Sequence, residues 1–200
     1  MSGGLAIAIL AAGSARRFGG GKLDAELAGK PLGRWAFDAA RAVEHERLAV
    51  VVGDPVPEFA REAWCKLLVN PLAEEGLGTS AALAARWAAE TGSGALLVLL
   101  ADMPLVAPDT LRRLAGTALS GKPAAVAYQG RRPGAPACFP AFFFPVLEDL
   151  AGDAGAAQVL RGRTDVTLIE AADEELRDVD RPEDLAVIAP LMERDSPGRP

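Results

Sequence analysis

Positive charge and glycine gather just after the first apolar run of this 200-residue chain. The segment reads Leu10-Ala11-Ala12-Gly13-Ser14-Ala15-Arg16-Arg17-Phe18-Gly19-Gly20-Gly21-Lys22-Leu23. Small residues let backbone N–H groups approach a ligand and point at phosphate oxygens. Arg16, Arg17 and Lys22 add the cations that a triphosphate requires. A solvated surface loop would have the same composition, but a loop that follows a buried strand is where ligands are positioned.

A carboxylate supplies the second element of chemistry. Asp102 ends the run Leu97-Val98-Leu99-Leu100-Ala101-Asp102-Met103-Pro104. A carboxylate there is costly unless it is solvated, paired or on a metal. Magnesium prefers one or two carboxylates with phosphate oxygens and waters. A turn aspartate before proline is the plain alternative. Gly78, Thr79 and Ser80 follow Asn70-Pro71 and sit where a helix is expected to begin, so N–H groups and hydroxyls would face a ligand there. A simple N-cap explains Thr79 and Ser80 equally well.

These residues need a scaffold that brings loop ends together. Short apolar runs at Leu5–Leu10, Leu48–Val52, Lys66–Val69, Leu96–Leu100, Ala124–Tyr128 and Val166–Ile169 read as buried strands. Helical spacing lies between and after them, at Leu32–Val43, Thr79–Ala89, Pro108–Leu119, Phe142–Leu150 and Pro182–Met192. Such alternation predicts a three-layer α/β fold, a mostly parallel sheet with helices on both faces. Ligands of such sheets bind at the carboxyl ends of the strands, where both motifs fall. One domain over 1–193 is expected, with 194–200 a disordered tail.

Other chemistries are set aside. With 27 acidic and 21 basic residues the net charge is −6, which argues against a nucleic-acid partner. The only histidine, His45, lies in a charged stretch and offers neither a zinc site nor a catalytic triad. Cys65 and Cys138 form no metal or redox motif and read as structural thiols. The dinucleotide fingerprint is absent, since Ser14 and Ala15 follow Gly13. A near P-loop at Gly116–Pro123 places proline where magnesium needs Ser or Thr, and it runs from helix to strand, the wrong order. The apolar run Leu5–Ala12 is too short for a membrane span and has no basic region before it. No membrane association is expected, and a cytoplasmic location follows as an expectation.

The glycine-rich segment resembles the signature L-A-A-G-x-S-x-R-F-G-x-x-K-L of the molybdenum cofactor cytidylyltransferases, within the nucleotidyltransferase superfamily that includes the molybdopterin guanylyltransferases. Asp102-Met103-Pro104 matches the family's Asp-Met-Pro, in order. The segments at Gly130–Pro136, Gly152–Ala157 and Asp178–Asp184 are similar to its later motifs, so the resemblance covers Leu10 to about Leu185.

The resemblance implies a Rossmann-like nucleotidyltransferase fold. It implies transfer of an NMP group, CMP first, from an NTP to a phosphorylated acceptor such as the molybdenum cofactor. Lys22 and Arg17 would be catalytic. Leu10, Ala11, Ala12, Gly13, Lys22, Asn70, Gly78, Ser80 and Asp102 would bind the nucleotide, and Asp102, Asp178 and Asp180 would hold Mg²⁺. A molybdoenzyme or its chaperone would receive the product. Ala135 and Ala157 stand where the family often has histidine and arginine, so the acceptor could differ. A guanylyl- or uridylyltransferase and a non-catalytic nucleotide-binding module remain the alternatives. Asp180 also fits a capping box with Glu183.

Overall fold

A computed structural model of the chain describes residues 3–15, 17–61 and 65–194. Arg16 and all but the first residue of the expected tail at 194–200 lie outside the described residues. In chain order, β1 (Leu5–Ala11) leads into a two-residue hairpin, β2 (Glu26–Leu27) and β3 (Lys30–Pro31). Next come α1 (Leu32–Arg41), β4 (Arg47–Val52), the short α2 (Glu58–Arg61), β5 (Lys66–Val69), α3 (Leu77–Glu90) and β6 (Ala95–Leu100). The second half holds α4 (Pro108–Leu119), β7 (Ala124–Tyr128), β8 (Arg132–Pro140), α5 (Phe144–Glu148), β9 (Thr167–Ile169) and α6 (Pro182–Arg194).

The main sheet has seven strands in the order β5-β4-β1-β6-β8-β7-β9. Pairings are parallel except those of β8, which runs antiparallel to β6 and β7. The mostly parallel, three-layer α/β arrangement expected from the sequence is therefore present. Continuous apolar runs are required because both sheet faces are covered. Successive residues of β1 accordingly enter different cores. Ile7 and Ile9 pack on the side of α1, α4 and α6, while Ala6, Ala8 and Leu10 pack on the side of α3 and α5.

β8 is not among the strands expected from the sequence, and Pro133, Gly134 and Pro136 are unusual residues for one. Proline survives in this inner strand through a bulge. Ala125 pairs with Ala137 and Val126 with Gly134, so Ala135 and Pro136 stand out of the ladder. The aromatic run is split. Phe139, Phe143 and Phe144 are core, whereas Phe142 is 63% exposed. The expected helix at Phe142–Leu150 is a 3-10 turn at Ala141–Phe143 followed by α5. The near P-loop is the end of α4 and the turn into β7, as its order required. α6 reaches Arg194, one residue past the expected domain end.

Candidate active site

The carboxyl end of β1 opens into a loop that folds by its glycines. The N–H groups of Phe18, Gly19 and Gly20 all approach the Ala15 carbonyl, at 3.0, 3.2 and 3.3 Å. Gly19, Gly20 and Gly21 then take φ of 91°, 96° and 62°, a left-handed sequence that side chains resist. Gly21 starts a single 3-10 turn, Lys22–Asp24, which throws Lys22 inward. Asp24 secures the turn from the other side, accepting the Glu58 and Phe59 N–H groups at 2.9 Å each.

Lys22 was expected to stay unburied, but its side chain is only 12% exposed. Its ammonium lies 2.6 Å from Asp102 Oδ2 and 2.9 Å from the Val179 carbonyl. The Val179 N–H donates in turn to the Asp102 carbonyl at 3.0 Å. Arg17 Nη1 reaches Asp180 Oδ2 at 2.9 Å. The loop after β1 and the segment before α6 thus meet around the end of β6. The other oxygen of Asp102, Oδ1, is buried and has no hydrogen-bond partner. A buried carboxylate oxygen without a partner is unfavourable in itself, and a cation there would offset it.

Two cavities adjoin the carboxyl end of β1. One, about 790 Å³, is lined by Ala11, Ala12, Gly13, Lys22, Gly53 and Asn70. A Cβ on Gly13 would meet nothing within 4 Å, so the glycine leaves open space rather than serving packing. The other, about 770 Å³, is lined by Leu10, Leu100, Tyr128, Gly134, Ala135 and Ala157, among others. Leu10 faces one cavity and Ala11 the other, as alternation along a strand dictates. Lys22 lines the first cavity, and Asp102 is its partner behind that lining.

The electrostatics suit a divalent cation. Partial burial pushes the Asp178 carboxyl above its ordinary value, and the Asp102 and Asp180 carboxylates add to this. Its own backbone N–H and the Lys22 ammonium act against it. Desolvation, then Asp178 and Asp102, push the Tyr128 phenol up to about 12, so it stays a neutral donor; it bonds the Ala135 carbonyl at 3.1 Å. Among the described residues no three His, Cys, Asp or Glu side chains gather to hold a metal unaided. Magnesium does not require three, since phosphate and water complete its shell. The unpartnered Asp102 oxygen, close enough to Asp178 for the two carboxylates to repel, therefore fits such an ion.

A test of this crowding follows from its sign. A carboxyl raised in the folded state destabilises the fold once it ionises, and the penalty vanishes below the unfolded value near 3.8. Asp178→Asn is expected to raise the melting temperature at pH 7, with the gain fading to nothing as pH falls below about 4. A gain independent of pH would show that repulsion is not its cause.

Asn70, Gly78 and Ser80 sit differently from expectation. Asn70 lines the first cavity but is only 4% exposed. Its amide NH₂ donates to Thr79 Oγ1 and Ser80 Oγ at 2.9 Å, and its oxygen accepts the Leu72 N–H at 3.0 Å. Ser80, 3% exposed, and Thr79 are turned into the protein. α3 begins earlier than expected, at Leu77, so their hydroxyls are not a free N-terminal edge. A Cβ on Gly78 would come within 2.7 Å of the Ala151 carbonyl oxygen. These residues brace the β5–α3 connection, and neither Gly78 nor Ser80 lines the two cavities described above. The capping residue of α6 is also not Glu183. Asp184 Oδ2 accepts the Asp180 and Arg181 N–H groups at 2.9 and 2.7 Å, which leaves the Asp180 side chain for Arg17. Tyr128, Asp24 and the Val179 carbonyl carried no local signal, since each acts through contacts across the fold.

Residues 7–175 match the MobA-like NTP transferase domain. The chain belongs to that family. The MobA-like NTP transferase is 32% identical over 198 residues to the purine catabolism protein PucB of Bacillus subtilis, covering 92% of this chain and 95% of that protein. It is 39% identical over 114 residues to the bifunctional protein GlmU of Geobacter metallireducens, which involves 55% of this chain but only 24% of GlmU. Among solved structures, Rv0371c of Mycobacterium tuberculosis superposes with a TM-score of 0.79 at 24% identity, covering 95% of this chain and 99% of that one. A complex of Rv0371c with manganese superposes at 0.68 with 21% identity, covering 86% and 89%. These structures share the fold of the MobA-like NTP transferase. No helix among its described residues is long and apolar enough to cross a membrane.

Proposed function

We propose that this MobA-like NTP transferase moves a nucleoside monophosphate, CMP first, from an NTP to a phosphorylated acceptor, releasing pyrophosphate. The observation that carries the reading is Lys22, which lines a large cavity beside the glycine-rich loop and pairs with Asp102, whose Oδ1 is buried and unpartnered. The nucleotide lies in the cavity edged by Ala11, Ala12 and Gly13, with Asn70 shaping its wall from behind. Gly78 and Ser80 act through that wall, not by direct contact. The acceptor enters the cavity edged by Leu10 and Tyr128.

Asp102, with Asp178 or Asp180, would hold Mg²⁺, which when bound neutralises phosphate charge. An acceptor phosphate oxygen attacks the α-phosphorus in line. The bond to the bridging oxygen breaks, and pyrophosphate leaves with the electron pair. Lys22 and Arg17 offset the charge that develops on the phosphates. Positioning supplies the rest, and an ionised phosphate nucleophile needs no general base.

Ala12 favours the smaller base. Ala12 lines the nucleotide cavity, and its methyl group takes room that a glycine would leave to a purine. With magnesium, CTP is expected to raise the melting temperature more than GTP, ATP or UTP at equal concentration. A larger shift with GTP would move the protein to guanylyl transfer.

The molybdenum cofactor is the first acceptor to try. Ala135 and Ala157 both line the acceptor cavity, so the side chains that relatives often carry there are missing where they would matter. That favours, as a second reading, another phosphorylated acceptor. Pyrophosphate release measured with each candidate acceptor decides between them. Binding of NTP without release for any acceptor would leave a nucleotide-binding module.

A further inference from the structure

Lys22 and a divalent cation require the same carboxylate. The ammonium occupies Asp102 Oδ2 at 2.6 Å and is anchored again on the Val179 carbonyl at 2.9 Å. Arg17 holds Asp180 in the same way at 2.9 Å. Asp102 and Asp180 thus each already carry an internal cation. The two contacts also pin the loop after β1 to the 178–180 segment, far away in sequence. A free cation that displaced Lys22 would strand an ammonium whose side chain is 12% exposed. Losing that partner without replacement is unfavourable.

We infer that Lys22 is an internal counter-cation that keeps Asp102 closed to a free divalent ion, and that the triphosphate opens the site. Cation and nucleotide then enter together. The inference rests on the nucleotide-transfer reading above. A triphosphate carries several charges and offers both Lys22 and Arg17 oxygens at least as anionic as those they give up. When Lys22 turns to the phosphates, Asp102 is left with two oxygens free, and Oδ1 already lacks a partner. An incoming ion then meets a vacant carboxylate and phosphate ligands at once, the donor set it prefers.

The loop is built to make this turn. Gly19, Gly20 and Gly21 would allow φ to change at low cost, and none of their Cβ positions meets an atom within 4 Å. Beyond them, Asp24 is fixed on the start of α2, so the movement is confined to the stretch that carries Arg17 and Lys22. Binding of ion and nucleotide is consequently coupled, each raising affinity for the other by the same factor.

Manganese, which takes oxygen ligands as magnesium does, reports this through the loss of its free-ion electron paramagnetic resonance signal. Wild type is expected to bind Mn²⁺ weakly alone. Its affinity should rise about tenfold or more with cytidine 5′-(α,β-methylene)triphosphate, which cannot release pyrophosphate. Lys22→Gln should bind Mn²⁺ alone about tenfold more tightly than wild type, with the coupling to the analogue reduced. Lys22→Met, which keeps no hydrogen bond to Asp102, should bind at least as tightly as Lys22→Gln. Melting curves confirm that each variant is folded, and either variant suffices. Affinity equal to or weaker than wild type in the folded Lys22 variants would overturn the inference while leaving Asp102 as a ligand. Asp102→Asn is the separating control. Undiminished Mn²⁺ binding with the analogue in that variant would mean that the metal-site reading itself had failed, and the inference with it.

Discussion

Lys22→Ala is expected to reduce turnover by about 10²- to 10³-fold, corresponding to about 3–4 kcal/mol of barrier, under saturating substrates. The ammonium lines the nucleotide cavity and touches Asp102, so it can follow charge as it develops on the transferring phosphoryl group. Alanine removes that charge and reaches neither partner. The substitution also affects the fold, because Lys22 is largely buried. Asp102 loses its one side-chain partner and Val179 a carbonyl contact. Asp102 keeps some access to water while Val179 is fully buried, so a loss of about 1–3 kcal/mol is expected rather than unfolding. Magnesium should restore part of the lost melting temperature, since the vacated carboxylate can then take the ion. Turnover should not return with it. Near wild-type turnover would remove Lys22 from the chemistry, and an unchanged melting temperature would contradict the buried pair.

Much of this was legible in the sequence, for physical reasons that differ by element. β1, β4 and β6 are covered on both faces, so their apolar runs admit little else. Asp102 could be placed at the carboxyl edge because it ends such a run. The glycine-rich loop was legible from its proximity to β1 and from its charge. β8 was not, because a bulge takes Pro136 out of the ladder, and no local pattern announces a bulge. The mutual contact of Asn70 and Ser80 was not legible, because polar residues near a helix start look alike whether they face a ligand or each other. Their 2.9 Å contact spans ten residues and is set by how β5 meets α3. The burial of Lys22 depends on Asp102, eighty positions later, and on Val179. The pairing of Lys22 with Asp102 and of Arg17 with Asp180, two cations delivered by one loop, is a tertiary fact. The residue types were readable; their pairing was not.

Asp102→Asn is expected to abolish magnesium-dependent turnover while leaving the melting temperature within about 1 kcal/mol of wild type. Two effects oppose each other in the fold. Asparagine gives Lys22 a neutral oxygen in place of a charged one, which weakens that contact. It also removes the negative neighbour that, after burial, does most to raise the Asp178 carboxyl, so repulsion is relieved. The backbone is untouched, because the Val179 N–H bonds the carbonyl of residue 102 and not its side chain. Catalysis has no such compensation, since an amide keeps the shape but lacks the charge that competes for a strongly hydrated cation. If Asp102 were only a turn residue before Met103 and Pro104, asparagine would serve almost as well. Melting temperature and turnover across a magnesium titration separate the two readings. Retained turnover with an unchanged magnesium dependence would reduce Asp102 to a turn former. A large loss of melting temperature would instead make the Lys22 pair a structural element first, leaving the ion's charge to be held by Asp178 and Asp180.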